Sequence, residues 1–343
     1  MSSPQTTTDA AAVVDAIRSH DRFLVTTHEN PDGDALGSLL AMHQVLGQLG
    51  KDSVMFLAAK EFPLPVEYRF LPLEEVFHEP PADVVDRTLV FLDCGNIDRM
   101  PVNFLQRDGA RLLNIDHHHD NTRFGTVNLV DTDASCTAEI VLEIAKRLDA
   151  VVTSEIAQAL YVGLITDTGK FMYENTRPAS HRMAAELIEA GVDVNDIYRR
   201  LYERVPLEKW RLTARALEKI ELYDEGRFAV TYISAADYDQ TGAGEVLTEG
   251  IIDFLRALEG VEVAAMIRDK TDGGRAARKV SLRSTDADVS AIARAQGGGG
   301  HRRAAGFGSD LPYPELVEFL RGEVAAQLGV SGGAADGAEP RRP

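Results

Sequence analysis

Short apolar runs in the first half of this chain each end in an acidic or imidazole side chain, and that placement leaves few folds open. Arg22-Phe-Leu-Val-Thr-Thr27 reads as a strand and runs straight into His28-Glu-Asn-Pro-Asp32-Gly-Asp34. Thr88-Leu-Val-Phe-Leu92 ends in Asp93, and Arg111-Leu-Leu-Asn-Ile115 ends in Asp116-His117-His118-His119. Asp167 follows the apolar run 160–166. Between these segments, residues 35–49 have helical apolar spacing and stop at Gly50, 52–57 read as a further strand, and 135–148 and 154–164 read as helices. Strand and helix alternate, which predicts an α/β fold with a doubly wound, mostly parallel sheet. In such open sheets ligands bind at the carboxyl ends of the strands, so side chains from separate segments can meet in one crevice.

Several carboxylates brought together repel one another unless a cation offsets their charge. A pair of divalent metals answers that need. Mixed oxygen and imidazole donors suit Mn²⁺ best, with Mg²⁺, Co²⁺, Fe²⁺ or Zn²⁺ also compatible. Each residue has a plainer reading by itself. An Asp at a strand end can cap a helix or form a turn, and a run of histidines can be a solvated loop. Glu29 and Asn30 are expected only to shape their loop. The coincidence of four segments carries the metal reading.

The chain is 343 residues long, enough for two domains. Its 36 basic and 54 acidic side chains give a net charge of −18. Binding to long duplex nucleic acid calls for a basic surface, so a short or small substrate is expected instead. A polar helical stretch follows Val192 and passes Tyr198, Trp210 and Leu222. Beyond it, 227–233, 261–268 and 279–283 read as strands and 250–258, 289–295 and 313–328 as helices. The expected organisation is therefore a metal-binding catalytic domain over 1–191, a helical linker over 192–225, a smaller α+β C-terminal domain over 226–330 and a disordered Gly-, Ala- and Pro-rich tail over 331–343. No apolar run is long enough for a bilayer, and residues 1–12 lack a signal-peptide pattern, so no membrane association and a cytoplasmic location are expected. Cys94 and Cys136 have no metal-type spacing and read as reduced thiols.

Gly297-Gly-Gly-Gly300-His301-Arg302-Arg303-Ala-Ala-Gly306 is the second strong signal. Glycine runs are usually linkers, but this one sits inside a strand and helix pattern. Glycines let backbone N–H groups come close to a phosphate. Upstream, Ser281 and Arg283 share one strand face by period two. Over 261–306, nine lysines and arginines stand against five carboxylates, a local reversal of the overall charge. Neither a phosphate contact nor a solvated position is assigned to Arg302 or Arg303.

His28-x-x-x-Asp32-x-Asp34, Asp93 after a strand, Asp116-His117-His118 and a later Asp167 resemble, in order, the motifs of the DHH phosphoesterase superfamily. Gly-Gly-Gly-His301 resembles the signature of its DHH-associated C-terminal domain. The resemblance spans about 12–328, and the compact oligoribonuclease/PAP phosphatase branch fits best. Asn121-Thr-Arg123-Phe-Gly125 and Ser135-Cys136-Thr137 also match that branch, although Cys136 stands where a Ser or Thr is expected. The resemblance implies one metal on His28, Asp32 and Asp93, and a second on Asp34, Asp93, His117 and Asp167. It implies that His118 contacts the scissile phosphate while Asp116 orients an imidazole. Arg123, Ser281, Arg283, Gly299, Gly300 and His301 would then contact substrate, with a salt bridge equally open for Arg123. Substrates would be nanoRNA, 3′-phosphoadenosine 5′-phosphate, or linear or cyclic di-adenylate. A homodimer is a family expectation. A manganese pyrophosphatase or exopolyphosphatase, and a non-catalytic cyclic-dinucleotide sensor, are the alternatives.

Overall fold

The computed structural model describes residues 10–99, 109–271 and 277–329. The expected tail over 331–343 lies outside them. The chain divides into two compact units, Met1–Arg204 and Val205–Pro343.

In the first unit, β1 (Arg22–Thr27), β2 (Asp52–Phe56), β3 (Thr88–Leu92), β4 (Leu112–Asp116) and β5 (Val127–Val130) form one sheet in the order β2-β1-β3-β4-β5. Every pairing is parallel. This order reverses between β1 and β3, the topological switch point of a doubly wound sheet. Strand residues alternate between two cores, as a two-residue period requires. Phe23, Val25, Val90, Leu92, Leu113 and Ile115 face a large helical core. Leu24, Phe56, Leu89, Phe91 and Leu112 face a smaller one. The large core is built by α1 (Ala10–Ser19), α2 (Gly33–Gln48), α3 (Thr137–Arg147), α4 (Ser154–Asp167) and α5 (Pro178–Glu189).

Helices α2 and α4 cross at glycines. A Cβ on Gly37 would lie 2.3 Å from the Ala159 carbonyl oxygen, and one on Gly163 would lie 2.7 Å from Asp34 Oδ1. The absence of side chains at these positions is what lets Asp34, on the first turn of α2, reach α3 and α4.

The stretch expected as a linker is shared between the units. Ile197 on α6 (Val194–Tyr198) and Leu201 join the first core. Leu212, Ala216 and Ile220, on and just after α7 (Leu207–Glu218), pack in the second unit. That unit holds β6 (Glu221–Tyr223), β7 (Phe228–Ile233), α8 (Ala235–Thr241), α9 (Ile251–Arg256), β8 (Val263–Asp269), β9 (Arg278–Ser284), α10 (Val289–Ala295), β10 (Gly299–His301), β11 (Ala304–Ser309) and α11 (Tyr313–Leu328). Its six strands run β10-β11-β9-β8-β7-β6, antiparallel except for β7 with β8. One sheet face is covered by α10 and α11. On the other, α7 and α9 cover Ala229, Ala264 and Met266 of β7 and β8.

Helix α7 is also fixed by charge. Asp237 is buried on the first turn of α8 and accepts hydrogen bonds from Arg215 Nε at 2.8 Å, Ser234 Oγ at 2.7 Å and Lys219 Nζ. Burial alone would raise this carboxyl, but those bonds hold it well below the usual carboxylate range. Its contribution to stability is therefore complete above the ordinary carboxylate pKa and is lost as pH falls below it. Asp237→Ala is expected to destabilise the protein by about 2 kcal/mol or more, read as a lower urea midpoint at neutral pH, with the difference shrinking in acid.

Candidate active site

The strand ends place the site. His28 leaves β1, Asp93 leaves β3, and Asp116 ends β4 with His117 and His118 immediately after. These three strands are neighbours across the switch point. Asp167 differs from the sequence expectation. Helix α4 continues three residues past 164, so Asp167 occupies its last turn rather than the loop beyond.

Donor atoms come together in three overlapping groups among the described residues. One atom each of His28, Asp32 and Asp93 lies within 4.8 Å of the others, and so does one atom each of Asp34, His117 and Asp167, and one each of Asp93, His117 and His118. Asp93 joins the groups: Oδ2 lies 3.5 Å from His28 Nε2, and Oδ1 lies 3.6 Å from His117 Nε2. His117 Nε2 is in turn 3.7 Å from Asp167 Oδ2. Asp93 is buried at φ 55°, a left-handed conformation that costs a non-glycine residue of order 1 kcal/mol or more and clusters at functional sites.

Fixed dipoles hold the carboxylates. Asp32 Oδ1 caps α2, accepting from the amides of Asp34 at 3.0 Å and Ala35 at 3.1 Å. Asp34 caps a different helix. Its Oδ2 accepts from the Thr137 amide at 2.6 Å and its Oδ1 from the Ala138 amide at 2.9 Å, both at the start of α3. Thr137 Oγ1 donates to Asp93 Oδ1 at 3.0 Å. The positive end of α3 thus steadies two acidic side chains from other elements. Ser135 does not occupy the N-cap of α3. Cys136 holds that position without a side-chain cap bond, and Ser135 Oγ donates instead to Glu139 Oε2 at 2.7 Å.

The electrostatics are those of an incomplete charge set. Burial raises the Asp34 carboxyl well above the usual range, and Asp93, Asp167 and Asp32 push it further. Asp167 is raised by burial, then by Asp93 and Asp32. Burial would lower His118, but its hydrogen bond to Asp116 and the charges of Asp93 and Asp116 push it up to about 10. Four carboxylates and two imidazoles that converge with oxygen and Nε2 atoms form a hard-to-borderline donor set that fits divalent cations.

Asp116 is fully buried and accepts from His118 Nδ1 at 2.7 Å and from Asn121 Nδ2 at 2.5 Å. Asn121 also donates to Asn114 Oδ1 at 2.8 Å and accepts the Arg123 amide at 2.6 Å. Asn175 Nδ2 donates to Asp167 Oδ2 at 3.1 Å and to the Ser135 carbonyl at 2.8 Å. Asn121 and Thr137 lie in segments that match the family branch, yet neither they nor Asn175 is among the site residues expected from the sequence, since a side-chain hydrogen bond has no spacing that marks it. Groups that orient a ligand in this way commonly matter 10- to 100-fold, so Asn175→Ala is expected to weaken metal-dependent turnover by about that factor. A Mn²⁺ titration of turnover reads the change.

Arg123 Nη1 is buried without a hydrogen-bond partner, and among the described residues no carboxylate pairs with Arg123. His119 is exposed, and the buried thiols Cys94 and Cys136 are unlinked. In the second unit, the register lines up the remaining expected residues. Ser281, Gly306 and Gly299 form one cross-strand row, and Arg283, Ala304 and His301 form the next but one. The glycine run is thus partly a strand: Gly299 and Gly300 pair with Gly306 and Ala305.

The chain is similar to known proteins over most of its length. Residues 22–164 match the DHH family N-terminal domain and 225–329 match the DHHA1 domain. The bifunctional oligoribonuclease and PAP phosphatase NrnA of Thermus thermophilus is 34% identical over 88% of this chain and 89% of its own length. This chain belongs to the DHH phosphoesterase family. It is a hydrolase acting on phosphoester bonds. The enzyme of the same description from Bacillus subtilis is 25% identical over 86% of this chain and 91% of its own. In fold, the chain is similar to an exopolyphosphatase-related protein from Bacteroides fragilis, with a TM-score of 0.83 at 22% identity, covering 93% of this chain and 96% of that one. RecJ of Thermus thermophilus, solved with Mn²⁺, gives a TM-score of 0.52 at 17% identity over 97% of this chain and 55% of RecJ. No described helix is long and apolar enough to cross a membrane.

Proposed function

We propose that this chain uses two divalent cations, Mn²⁺ foremost, to hydrolyse short nucleotide substrates to 5′-nucleoside monophosphates. The observation that carries the reading is the pair of donor groups joined at Asp93: His28, Asp32 and Asp93 for one cation, and Asp34, Asp93, His117 and Asp167 for the other. Bound there, divalent cations lower the pKa of a water molecule and offset charge on phosphoryl oxygens. The protein's own groups do the rest. Asp116 accepts the Nδ1 proton of His118 and so turns Nε2 to the scissile phosphate, where it protonates the leaving oxygen. The family resemblance supports Arg123 as a further contact to the same phosphate, its guanidinium being suited to phosphate oxygens.

Catalysis belongs to the first unit and substrate anchoring to the second, through Ser281, Arg283, Gly299, Gly300 and His301. The relatives' names support nanoRNA and 3′-phosphoadenosine 5′-phosphate as substrates. Linear or cyclic di-adenylate fits the same chemistry. A Mn²⁺-dependent comparison of pApA, 3′-phosphoadenosine 5′-phosphate, cyclic di-AMP and pyrophosphate tests the reading. Nucleotides should yield adenosine 5′-monophosphate, and His301→Ala should raise KM more than it lowers kcat. Cleavage of pyrophosphate alone would move the function to inorganic substrates. Nucleotide binding without any cleavage would make the protein a sensor.

A further inference from the structure

The sheet of the second unit carries two cations side by side, neither of them in an ion pair with a described carboxylate. Arg268 on β8 and Lys279 on β9 are direct cross-strand partners. Like charges in that position repel, and a buried charge needs compensation. Arg268 is 6% exposed, its Nη1 donates to Thr248 Oγ1 at 2.5 Å, and its Nε is buried without a partner. Among the described residues no carboxylate lies within ion-pairing distance of either cation, while Arg278, on the opposite face of β9, has Asp269 at 3.3 Å. The charges of Glu249 and, less strongly, Glu245 reach Lys279 without an ion pair, and Glu245 Oε1 accepts from the Thr271 hydroxyl at 2.8 Å.

Register shows what lies beside the pair. Lys279, Ser281 and Arg283 share one face of β9, opposite Gly308, Gly306 and Ala304 of β11. None of those three β11 residues is buried, whereas the alternate residues Ala305, Phe307 and Ser309 are. This end of the sheet face is a floor of glycine and alanine edged by cations. Lys279 and Arg283 are four residues apart, about 13 Å at roughly 3.3 Å per residue.

We propose that Arg268 and Lys279 form a second phosphate subsite, about 13 Å along β9 from Arg283, which takes a further phosphate of an oligonucleotide longer than a dinucleotide. The inference rests on the nucleotide reading above and extends it from the identity of the substrate to its length. The shallow floor lets the chain lie along β9, Ser281 sits between the two cationic positions, and the repulsion between Arg268 and Lys279 is relieved when the anion arrives.

The test is a salt titration of binding by the full-length protein with Mn²⁺, using hydrolysis-resistant phosphorothioate oligoadenylates of two to five nucleotides. Lys279→Ala and Lys279→Glu serve as the variants, because Arg268→Ala removes a buried side chain and can fail to fold. Wild type should bind the longer oligomers more tightly than the dimer and with a steeper salt dependence. Lys279→Ala should weaken the longer oligomers about five- to tenfold relative to the dimer and reduce their salt slope by about 0.7, one phosphate contact. Lys279→Glu should do more. Equal slopes for wild type and Lys279→Ala at every length, or equal weakening of dimer and longer oligomers, would overturn the subsite. Inorganic phosphate that removes the difference between wild type and variant without any dependence on oligomer length would overturn it too, showing a site for the free ion. Binding does not require cleavage, so this outcome is separate from that of the turnover comparison.

Discussion

Asp93→Asn should lower turnover of any nucleotide substrate by at least about a thousandfold while leaving the fold in place. The size follows from geometry. Asp93 lies within 3.6 Å of a histidine from each donor group, His28 on one side and His117 on the other. Asparagine keeps the shape and can still accept from Thr137 Oγ1, which lies 3.0 Å from Oδ1. It loses the negative charge and replaces one ligating oxygen by an amide NH₂, so both groups are impaired at once. Circular dichroism should match wild type, and isothermal titration with Mn²⁺ should show weaker binding at both sites. A variant that retained more than about a tenth of the activity would show that Asp93 does not join the sites.

The second large effect comes from a residue with no side chain. Gly163→Ala would place a methyl group 2.7 Å from Asp34 Oδ1 and 2.8 Å from the Ala138 Cβ. Overpacking of that kind costs about 1–3 kcal/mol. Asp34 must also shift, and it is held by two amides of α3, so the donor group containing His117 and Asp167 is disturbed. Gly37→Ala is the matched control. Its Cβ would meet the Ala159 carbonyl oxygen at 2.3 Å, in the same helix crossing but against backbone rather than Asp34. Both variants should melt lower, by about 2–4 °C for each kcal/mol lost. Gly163→Ala should in addition raise the Mn²⁺ concentration needed for half-maximal turnover. Equal metal dependence in the two variants would show that Gly163 serves packing alone.

The parts of the site that were legible before the structure are those fixed by local rules. An apolar run with an acidic or imidazole residue at its end places that residue on one rim of a parallel sheet, and β1, β3 and β4 follow this rule with His28, Asp93 and Asp116. Helices α10 and α11 have the bounds their apolar spacing predicts. The rule fails where local patterning is silent. Strand β5 has four residues, too few to show a period. The glycines at 299 and 300 carry no strand propensity and pair because β11 offers its edge. Asn121 and Asn175 could not be placed, since a side-chain hydrogen bond across a loop has no sequence period at all.

Helix α3 begins at a residue that cannot cap it, and the missing acceptor is supplied by Asp34, 103 positions earlier in the chain. Local helix signals therefore leave the first turn of α3 under-supported until the two segments meet. A nascent chain that has emerged only as far as residue 130 already contains His28, Asp32, Asp93 and His117, yet it has no anchor for Asp34 and no Asp167. The support for the first turn of α3 and the donor group of Asp34, His117 and Asp167 are therefore completed together, once residues 137–167 have joined the sheet.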